Sequence, residues 1–322
     1  MPENWPLGEK DLKIGILGMT EGNGHPYSWS AMFNGFEKKH MDNCPFAGIP
    51  AYLNKQPRET LGIKGAGITH ICCDDRKDAE DVARCSLIEH VVDKPEDMIG
   101  EVDAVIVATD IGSEHVARCR PFIEADIPTF IDKPMADNAD DLRQFVKWHD
   151  EGRHFISSSS MRYVKSMEPY FQNHHEIGKL MYICQPMCKK WETYGIHALE
   201  GMFPLLGEGF ETIQNTGTAE KNMVHITHKS GCDVHIPLSA GMYGAFGVTL
   251  LVGSNDKKVI TDTDSYYSFK KQLDLFVDYL RTGREPVPFT ETIELIKLVI
   301  GGIMSREQGG RKVFLHEIKE RT

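Results

Sequence analysis

The sequence predicts an α/β protein with a doubly wound parallel sheet in its first half and an α+β second half built on a mainly antiparallel open sheet. Strand and helix patterns alternate up to about residue 160, which is typical of a parallel sheet. Residues 103–109 contain the apolar, largely β-branched run Ala-Val-Ile-Val-Ala, as in a strand buried on both faces. Beyond residue 161, strand patterns follow one another without helices between them, which favours antiparallel pairing.

The elements of the first half are predicted from apolar runs bounded by turn residues. The predicted helix 28–36, for example, places Trp29, Met32 and Phe33 on one side. Residues 41–64 interrupt the alternation, and we interpret them as an inserted excursion. The predicted order is strand 12–17, helix 28–36, strand 67–73, helix 78–85, strand 89–92, strand 103–109, helix 113–125, strand 128–131, helix 138–151 and a strand from 154. Residues 1–160 form the first predicted domain.

The second half is predicted to contain strands at 179–184, 223–228, 233–238 and 246–252, then helices at 267–281 and 291–306. Apolar residues alternate along these strands, so one sheet face should pack on helices. The other face needs either water or a partner. We therefore predict that 161–322 forms a second domain that supports oligomerisation, and that the protein is a homo-oligomer, either a dimer or a tetramer.

Composition excludes several classes of function. The net charge of -11 over 322 residues argues against nucleic-acid binding, which needs a basic face. No apolar segment is long enough to span a membrane, and the amino terminus lacks a secretory pattern. The eight cysteines include neighbours on a strand, which suit burial better than disulfides, so a cytoplasmic location is expected. Cys184, Cys188 and His197 lack the spacing of a zinc site, and no metal is predicted.

The turn after the first strand is rich in glycine. Such a turn lets the backbone approach a pyrophosphate at a helix amino terminus in a Rossmann-type sheet. The glycine spacing is irregular, because Thr20 stands where a second glycine is usual, and a plain strand-to-helix turn is the alternative. The predicted cofactor-binding residues of this turn are Gly18, Thr20, Gly22, Asn23, Gly24 and His25.

Asp74 closes the second parallel strand. A carboxylate there can accept hydrogen bonds from ribose hydroxyls and repel a phosphate placed on one of them, so NAD is favoured over NADP. Asp75 and Arg76 are included in the predicted cofactor site, although Arg76 could instead welcome that phosphate. A solvated strand end is the alternative for both aspartates.

Thr109 and Asp110 follow the buried strand 103–109 and are predicted to line the nicotinamide side of the same cleft. His115, on the following helix, either contacts the site or lies on the helix surface. Asp132 and Lys133 come directly after the strand 128–131, at the carboxyl end where chemistry gathers in open α/β sheets. A lysine there can exchange a proton with a substrate hydroxyl, and a surface lysine is the alternative.

With these pieces the chain resembles the Gfo/Idh/MocA oxidoreductases, which include glucose-fructose oxidoreductase and inositol dehydrogenase. The resemblance spans nearly the whole chain. It rests on the turn 15–24, the strand 103–109, Asp132-Lys133-Pro134, Met161-Arg162-Tyr163 and Tyr194-Gly195-Ile196-His197. Members commonly carry Glu-Lys-Pro in place of Asp132-Lys133-Pro134, and Asp-x-Gly-x-His where this chain has Thr193 in place of the aspartate.

The resemblance implies that Lys133 and His197 are catalytic. It also implies that 1–160 is a dinucleotide-binding domain and that 161–322 is a substrate-binding and oligomerisation domain, with the substrate in a cleft between them. Glu192 or Glu200 could reach the space of the missing aspartate, although we interpret Glu200 as a supporting or interface carboxylate. The aromatic residues could stack on a sugar or pack in the core, and Arg162 could bind an anionic group or tie the domains together. The predicted substrate-binding residues are Arg162, Tyr163, Trp191, Thr193, Tyr194 and His197.

The leading hypothesis is an NAD(P)-dependent dehydrogenase acting on CH–OH groups of a sugar, polyol or glycoside, with Lys133 and His197 handling the proton. One alternative is an NAD-using enzyme that cleaves glycosides through transient oxidation and elimination. Another is a non-catalytic regulatory protein that binds sugar and NAD, which Thr193 and the irregular turn would favour. The fold alone does not separate these hypotheses.

Overall fold

Two β-sheets organise the protein in a computed structural model that describes residues 5–171 and 176–321. The prediction that the amino terminus lacks a secretory pattern falls partly on residues 1–4, which lie outside the described residues. Within the described ranges, no helix combines the length and the apolar character needed to cross a membrane.

The first sheet has six parallel strands, which confirms the predicted parallel architecture. They are β1 (Leu12–Leu17), β2 (Ala66–Cys72), β3 (His90–Val91), β4 (Ala104–Val107), β5 (Thr129–Ile131) and β6 (Phe155–Ser157). Their spatial order is β3-β2-β1-β4-β5-β6. The order reverses between β1 and β4, and a crevice for ligands opens at the carboxyl ends of strands at such a point.

Six helices accompany this sheet. They are α1 (His25–Asn34), α2 (Lys38–Met41), α3 (Gly48–Leu53), α4 (Arg76–Ser86), α5 (Gly112–Glu124) and α6 (Ala139–Asp150). Asp75 begins α4 by accepting a hydrogen bond from the Lys77 amide, and Asn138 begins α6 in the same way through the Asp141 amide. The predicted excursion, 41–64, begins at the last residue of α2 and contains the short helix α3.

The second sheet has eight strands and is mainly antiparallel, as predicted. Its strands are β7 (Leu180–Cys184), β8 (Met187–Cys188), β9 (Phe210–Asn215), β10 (Lys221–His228), β11 (Asp233–Ser239), β12 (Val248–Gly253), β13 (Lys257–Thr261) and β14 (Val313–Phe314). Strand β11 pairs in parallel with β7 and β8, which sets the two parallel contacts within this sheet. Strands β8, β9, β13 and β14 were not predicted, because they are short or lack strict alternation.

Three further helices lie in the described part of the second half: α7 (Ile196–Leu206), α8 (Ser265–Thr282) and α9 (Phe289–Glu307). Helix α9 packs on the second sheet through strand β9. Helix α8 instead packs on the first half of the chain. Its Phe276 ring meets Phe130 of β5 at 5.4 Å between centroids, and Leu273 lies in the same core. The second half therefore contributes a helix to the core of the first sheet.

Candidate active site

Lys133 lies directly after β5, at the carboxyl edge of the first sheet. Its side chain is only 3% exposed. The ammonium donates a hydrogen bond to the Thr193 carbonyl at 3.2 Å and lies 3.6 Å from the Asp110 carboxylate. It also sits 4.6 Å above the centre of the Tyr194 ring, a cation–π contact. Residues from both halves therefore fix this ammonium in one place.

Asp132 is buried beside Lys133 and keeps its negative charge. Its carboxylate accepts hydrogen bonds from the Asn23 amide at 3.1 Å and from the Lys133 backbone at 2.8 Å. Nδ1 of His25 lies 2.5 Å away. Burial raises the pKa of Asp132, but His25 and Lys133 together with these hydrogen bonds outweigh it, so the net pKa is lowered. The glycine-rich turn is thereby tied to the end of β5.

His197 lies in the first turn of α7 and is buried. Its Nδ1 is 2.7 Å from Ser159 Oγ, which leaves Nε2 as the nitrogen for a substrate hydroxyl. Burial lowers the pKa of His197 well below its usual value, and the positive charges of Lys133, His25 and Lys189 lower it further. The imidazole is therefore neutral at pH 7, which is the form that accepts a proton.

The glycine-rich turn and the end of β4 form the wall where a dinucleotide would lie. A Cβ at Gly18 would come within 2.6 Å of Pro26 at the start of α1, so this position requires glycine. Gly22 has a φ of +77°, a left-handed backbone conformation that glycine adopts without strain. Thr20 Oγ1 donates to Asp110 at 2.7 Å, and the buried Thr109 hydroxyl has no hydrogen-bond partner among the described residues. A buried hydroxyl without a partner at this edge of the sheet could form a hydrogen bond with a bound dinucleotide, so the residues here fit that cofactor.

Asp74 follows β2, and its side chain is 62% exposed at the edge of the crevice. Both of its oxygens accept hydrogen bonds from Arg118 of α5, at 2.8 and 2.7 Å. These bonds lower the pKa of Asp74. Arg76 instead pairs with Glu80 and Asp93 on the surface. The arginine nearest to Asp74 is thus Arg118, which sequence reasoning missed because it is forty-four residues away.

Lys189 is a second functional candidate that the sequence did not single out. It lies just after β8 with a φ of +60° and donates to the Gly22 carbonyl at 3.2 Å. Its ammonium lies 4.4 Å from the Tyr194 ring centre. Burial lowers the pKa of Lys189, Asp110 opposes that effect and Lys133 adds to it. No local pattern marks this residue, because its role comes from the contact between the second sheet and the turn.

Residues 191–193 reach three different parts of the protein. Trp191 is fully buried and donates through Nε1 to the Val299 carbonyl at 2.9 Å, so it packs in the core and cannot stack on a sugar. Glu192 pairs with Arg306 and does not replace the missing aspartate. Thr193 contributes its backbone carbonyl to Lys133.

Arg162 is also committed to the protein interior. It pairs with Glu200, and its Nη1 donates to Glu291 at 2.8 Å. Glu200 also accepts the Ser159 amide at 3.0 Å, which supports the residue that holds His197. Arg162 therefore ties elements together through two of its nitrogens, and its buried Nη2 has no hydrogen-bond partner among the described residues. Tyr163 lies beside it and is held by a hydrogen bond from Ser268 to its carbonyl at 3.3 Å.

His115 is fully buried, so neither predicted role, contact with the site or a place on the helix surface, fits its position. One ring nitrogen lies 2.8 Å from the Thr109 carbonyl and the other lies 3.3 Å from the Met135 carbonyl. These contacts join the end of β4 to the segment after Lys133. The ring therefore shapes the crevice from behind and neither lies on the helix surface nor reaches a ligand.

A cavity of about 640 Å³ opens in front of these groups. A volume of this size suits a small-molecule ligand. Both halves of the chain line it. The first half contributes Lys133, Asp110 and His25, and the second half contributes Tyr194 and His197. The cavity therefore brings both predicted catalytic residues to one space. Phe46, Ile49, Tyr52, Phe246 and Phe269 form much of the remaining lining.

Comparisons with known proteins agree with this architecture. Residues 47–157 match the model of the Gfo/Idh/MocA group, described as an oxidoreductase family with an NAD-binding Rossmann fold. A comparison of the sequence with curated proteins gave no match. The match covers β2 to β6 and leaves the irregular glycine turn outside it.

Solved structures resemble nearly the whole chain. An oxidoreductase from Agrobacterium radiobacter in complex with NAD+, L-tartaric acid and magnesium has a TM-score of 0.74 at 15% identity, covering 96% of this chain and 100% of that one. Scyllo-inositol dehydrogenase from Lactobacillus casei with NAD(H) and scyllo-inositol has a TM-score of 0.71 at 12% identity, covering 95% and 100%.

Myo-inositol 2-dehydrogenase from Lactobacillus plantarum has a TM-score of 0.71 at 14% identity, covering 95% of this chain and 99% of that one. At such low identity these likenesses show the fold alone. Residues 47–157 of this 322-residue chain match the model of the Gfo/Idh/MocA group of NAD-binding oxidoreductases, and nearly the whole chain shares the fold of these solved structures.

Proposed function

We propose that this protein is an NAD-dependent oxidoreductase that interconverts a hydroxyl and a carbonyl of a sugar, polyol or glycoside. The observation that carries the proposal is that Lys133 and His197, from different halves of the chain, line one cavity at the carboxyl edge of the parallel sheet. The matched family is described as NAD-binding, and similarly folded proteins act on inositols. These findings support a cyclic polyol or sugar-like substrate.

In the proposed mechanism, a substrate hydroxyl lies between the Lys133 ammonium and the His197 imidazole. Neutral His197 takes the hydroxyl proton at Nε2 while its Nδ1 stays held by Ser159. The Lys133 ammonium donates a hydrogen bond to the same oxygen and stabilises the negative charge that develops there. Ser159 and Thr193 orient the two groups, so neither has to reorganise during the step.

Bound NAD would supply the acceptor for the hydride that leaves the carbinol carbon. Asp74 would hold the ribose hydroxyls of the adenosine end, and its charge would disfavour a ribose phosphate there. The Thr109 hydroxyl and the backbone of the turn 18–24 would face the rest of the dinucleotide. Asp132 would keep its charge beside the nicotinamide end through Asn23 and His25.

A screen of sugars, inositols and glycosides with NAD and with NADP tests this proposal. We expect reduced cofactor to accumulate with NAD and at least one of these substrates, as measured by its absorbance. Cleavage of a glycoside without net formation of NADH would favour transient oxidation and elimination instead. Binding of NAD and sugar with no turnover of any kind would favour a regulatory protein.

We also propose that copies of the chain associate through the open face of the second sheet. Strand register places Tyr182, Met223 and Val259 on that face, where they are 47%, 50% and 68% exposed. Exposed apolar residues gathered on one face are typical of an interface. Sedimentation analysis should give a dimer or tetramer, and a monomer at micromolar concentration would refute the proposal.

All eight cysteines are free thiols, which supports a cytoplasmic location.

A further inference from the structure

The cavity in front of Lys133 has two chemically different ends. At the first end, which we name the polar end, lie Lys133, His197 and Asp110. At the second, which we name the apolar end, lie Phe46, Ile49, Tyr52 and Phe269. An unsubstituted polyol carries hydroxyls all round and would leave this second surface without a partner.

The apolar end is built by the excursion between α1 and β2, which the oxidoreductase chemistry does not require. Phe46 and Ile49 pack directly on the start of α1, since a Cβ at Gly24 would lie within 2.8 Å of both side chains. The excursion is therefore seated against the glycine-rich turn. It brings two large apolar side chains beside the crevice.

The aromatic wall of the apolar end is held in position. The Tyr52 hydroxyl donates to Ser28 Oγ at 2.5 Å, which satisfies its polar atom and leaves the ring for packing. Tyr52 and Phe269 stack at 6.4 Å between centroids with an interplanar angle of 29°. Phe269 also meets His25 edge-on at 5.4 Å, so the wall continues to the polar end. Such an arrangement favours a flat apolar group.

Charge at the apolar end disfavours an anionic ligand. Asp262 also lines the cavity, and Lys133, at the polar end, is the only lysine or arginine among the described lining residues. Arg162, the nearest buried guanidinium predicted to bind an anion, is occupied by Glu200 and Glu291. A carboxylate or phosphate on the substrate would therefore find no cation at this end.

We propose that the substrate is a neutral glycoside or polyol derivative with an apolar substituent, of aryl type, that occupies the apolar end. The reacting carbinol then lies at Lys133 and His197. This inference rests on the proposed function and specifies its substrate class. Burial of an aryl ring against Phe46, Tyr52 and Phe269 contributes binding free energy through apolar contact. A methyl group in its place would bury less apolar surface and lose most of that contribution.

The test compares the methyl and phenyl glycosides of the same sugar as substrates of the purified full-length protein. We expect kcat/KM with NAD to be about tenfold or more higher for the phenyl glycoside, as loss of one buried ring predicts. Phe46→Ser should lower the phenyl-to-methyl ratio about tenfold, and Phe46→Leu, which keeps the apolar volume, should retain most of it. Ile99→Ser, at an exposed position between β3 and β4, is the surface control and should leave the ratio unchanged.

Equal kcat/KM for the two glycosides would overturn the inference and leave the proposed function standing. A ratio that survives Phe46→Ser would also overturn it, because the substituent would then lie elsewhere. If no glycoside or polyol reduces NAD, the proposed function fails. Calorimetric titration of the same pair then decides the inference, since tighter binding of the phenyl glycoside supports it and equal binding refutes it.

Discussion

The Lys133 ammonium donates a hydrogen bond to the backbone carbonyl of Thr193 at 3.2 Å. Position 193 is where the family resemblance would place an aspartate. The backbone holds the lysine from the second half of the chain, and Asp110 supplies a carboxylate at 3.6 Å from the first half. The loss of the aspartate side chain therefore leaves Lys133 anchored and next to a negative charge.

The first prediction concerns this lysine. Lys133→Met should lower kcat by about a thousandfold, because it removes a group that binds the reacting oxygen. Cofactor affinity, measured by quenching of tryptophan fluorescence with NAD, should change little. Lys190→Met is the matched control, since Lys190 is exposed and should tolerate the change. Unchanged turnover in the Lys133 variant would contradict the mechanism.

The second prediction uses the lowered pKa of His197. Between pH 6.5 and the folded-state pKa, the unfolded chain binds a proton at this position that the folded chain does not, so stability falls as the pH falls. Between pH 7.5 and 5.5, the wild type should lose about 1 kcal/mol more unfolding free energy than His197→Asn. Urea unfolding at both pH values measures the difference, and parallel losses would argue against a buried neutral imidazole.

Replacement of Asp74 should change cofactor preference. Asp74→Ser removes the carboxylate that accepts hydrogen bonds from two Arg118 nitrogens at 2.8 and 2.7 Å, and leaves that guanidinium paired with Glu114 alone. The arginine can then pair with a ribose phosphate, so the NADP-to-NAD ratio of kcat/KM should rise about tenfold or more. Arg76→Ala should leave the ratio nearly unchanged, because Arg76 pairs away from the crevice. A strong effect of Arg76 alone would reverse these assignments.

Arg162 should be important for stability. It pairs with Glu200 and Glu291 in the interior, and Arg162→Met would leave buried carboxylates without their cation. Breaking a buried pair from one side costs about 3 kcal/mol or more. Denaturant unfolding at pH 7 measures the loss. Arg76→Met is the exposed comparison and should have little effect. An equally small change at Arg162 would mean that water reaches the two glutamates.

Sequence reasoning identified the first sheet because its elements have strong local signals. The strand 103–109 contains an apolar, largely β-branched run, and Asp132-Lys133-Pro134 directly follows a short apolar strand, so the position of Lys133 could be inferred. The carboxyl ends of parallel strands meet at one edge, which made convergence of Asp110 and Lys133 predictable. The proximity of His197 came from the family resemblance, because its spacing carries no such geometric rule.

Contacts between distant segments could not be predicted. Arg118 reaches Asp74, and Lys189 reaches the Gly22 carbonyl, only because the sheets bring them together. Trp191 looked like a stacking platform, yet its indole fits between Gly195 and Gly302 in the core. An aromatic residue that lines a cavity and one that fills a core have the same local pattern. Only the packing distinguishes them.

Helix α8 has a consequence for how the protein is made. Leu273, Phe276 and Leu280 complete the core under the parallel strands, although they lie more than one hundred residues after β6. In a nascent chain that ends near residue 160, the apolar surface that α8 covers is therefore exposed to water. This surface must be kept from aggregation until α8 has been synthesised. A fragment cut there should aggregate, and the two halves are expected to mature together.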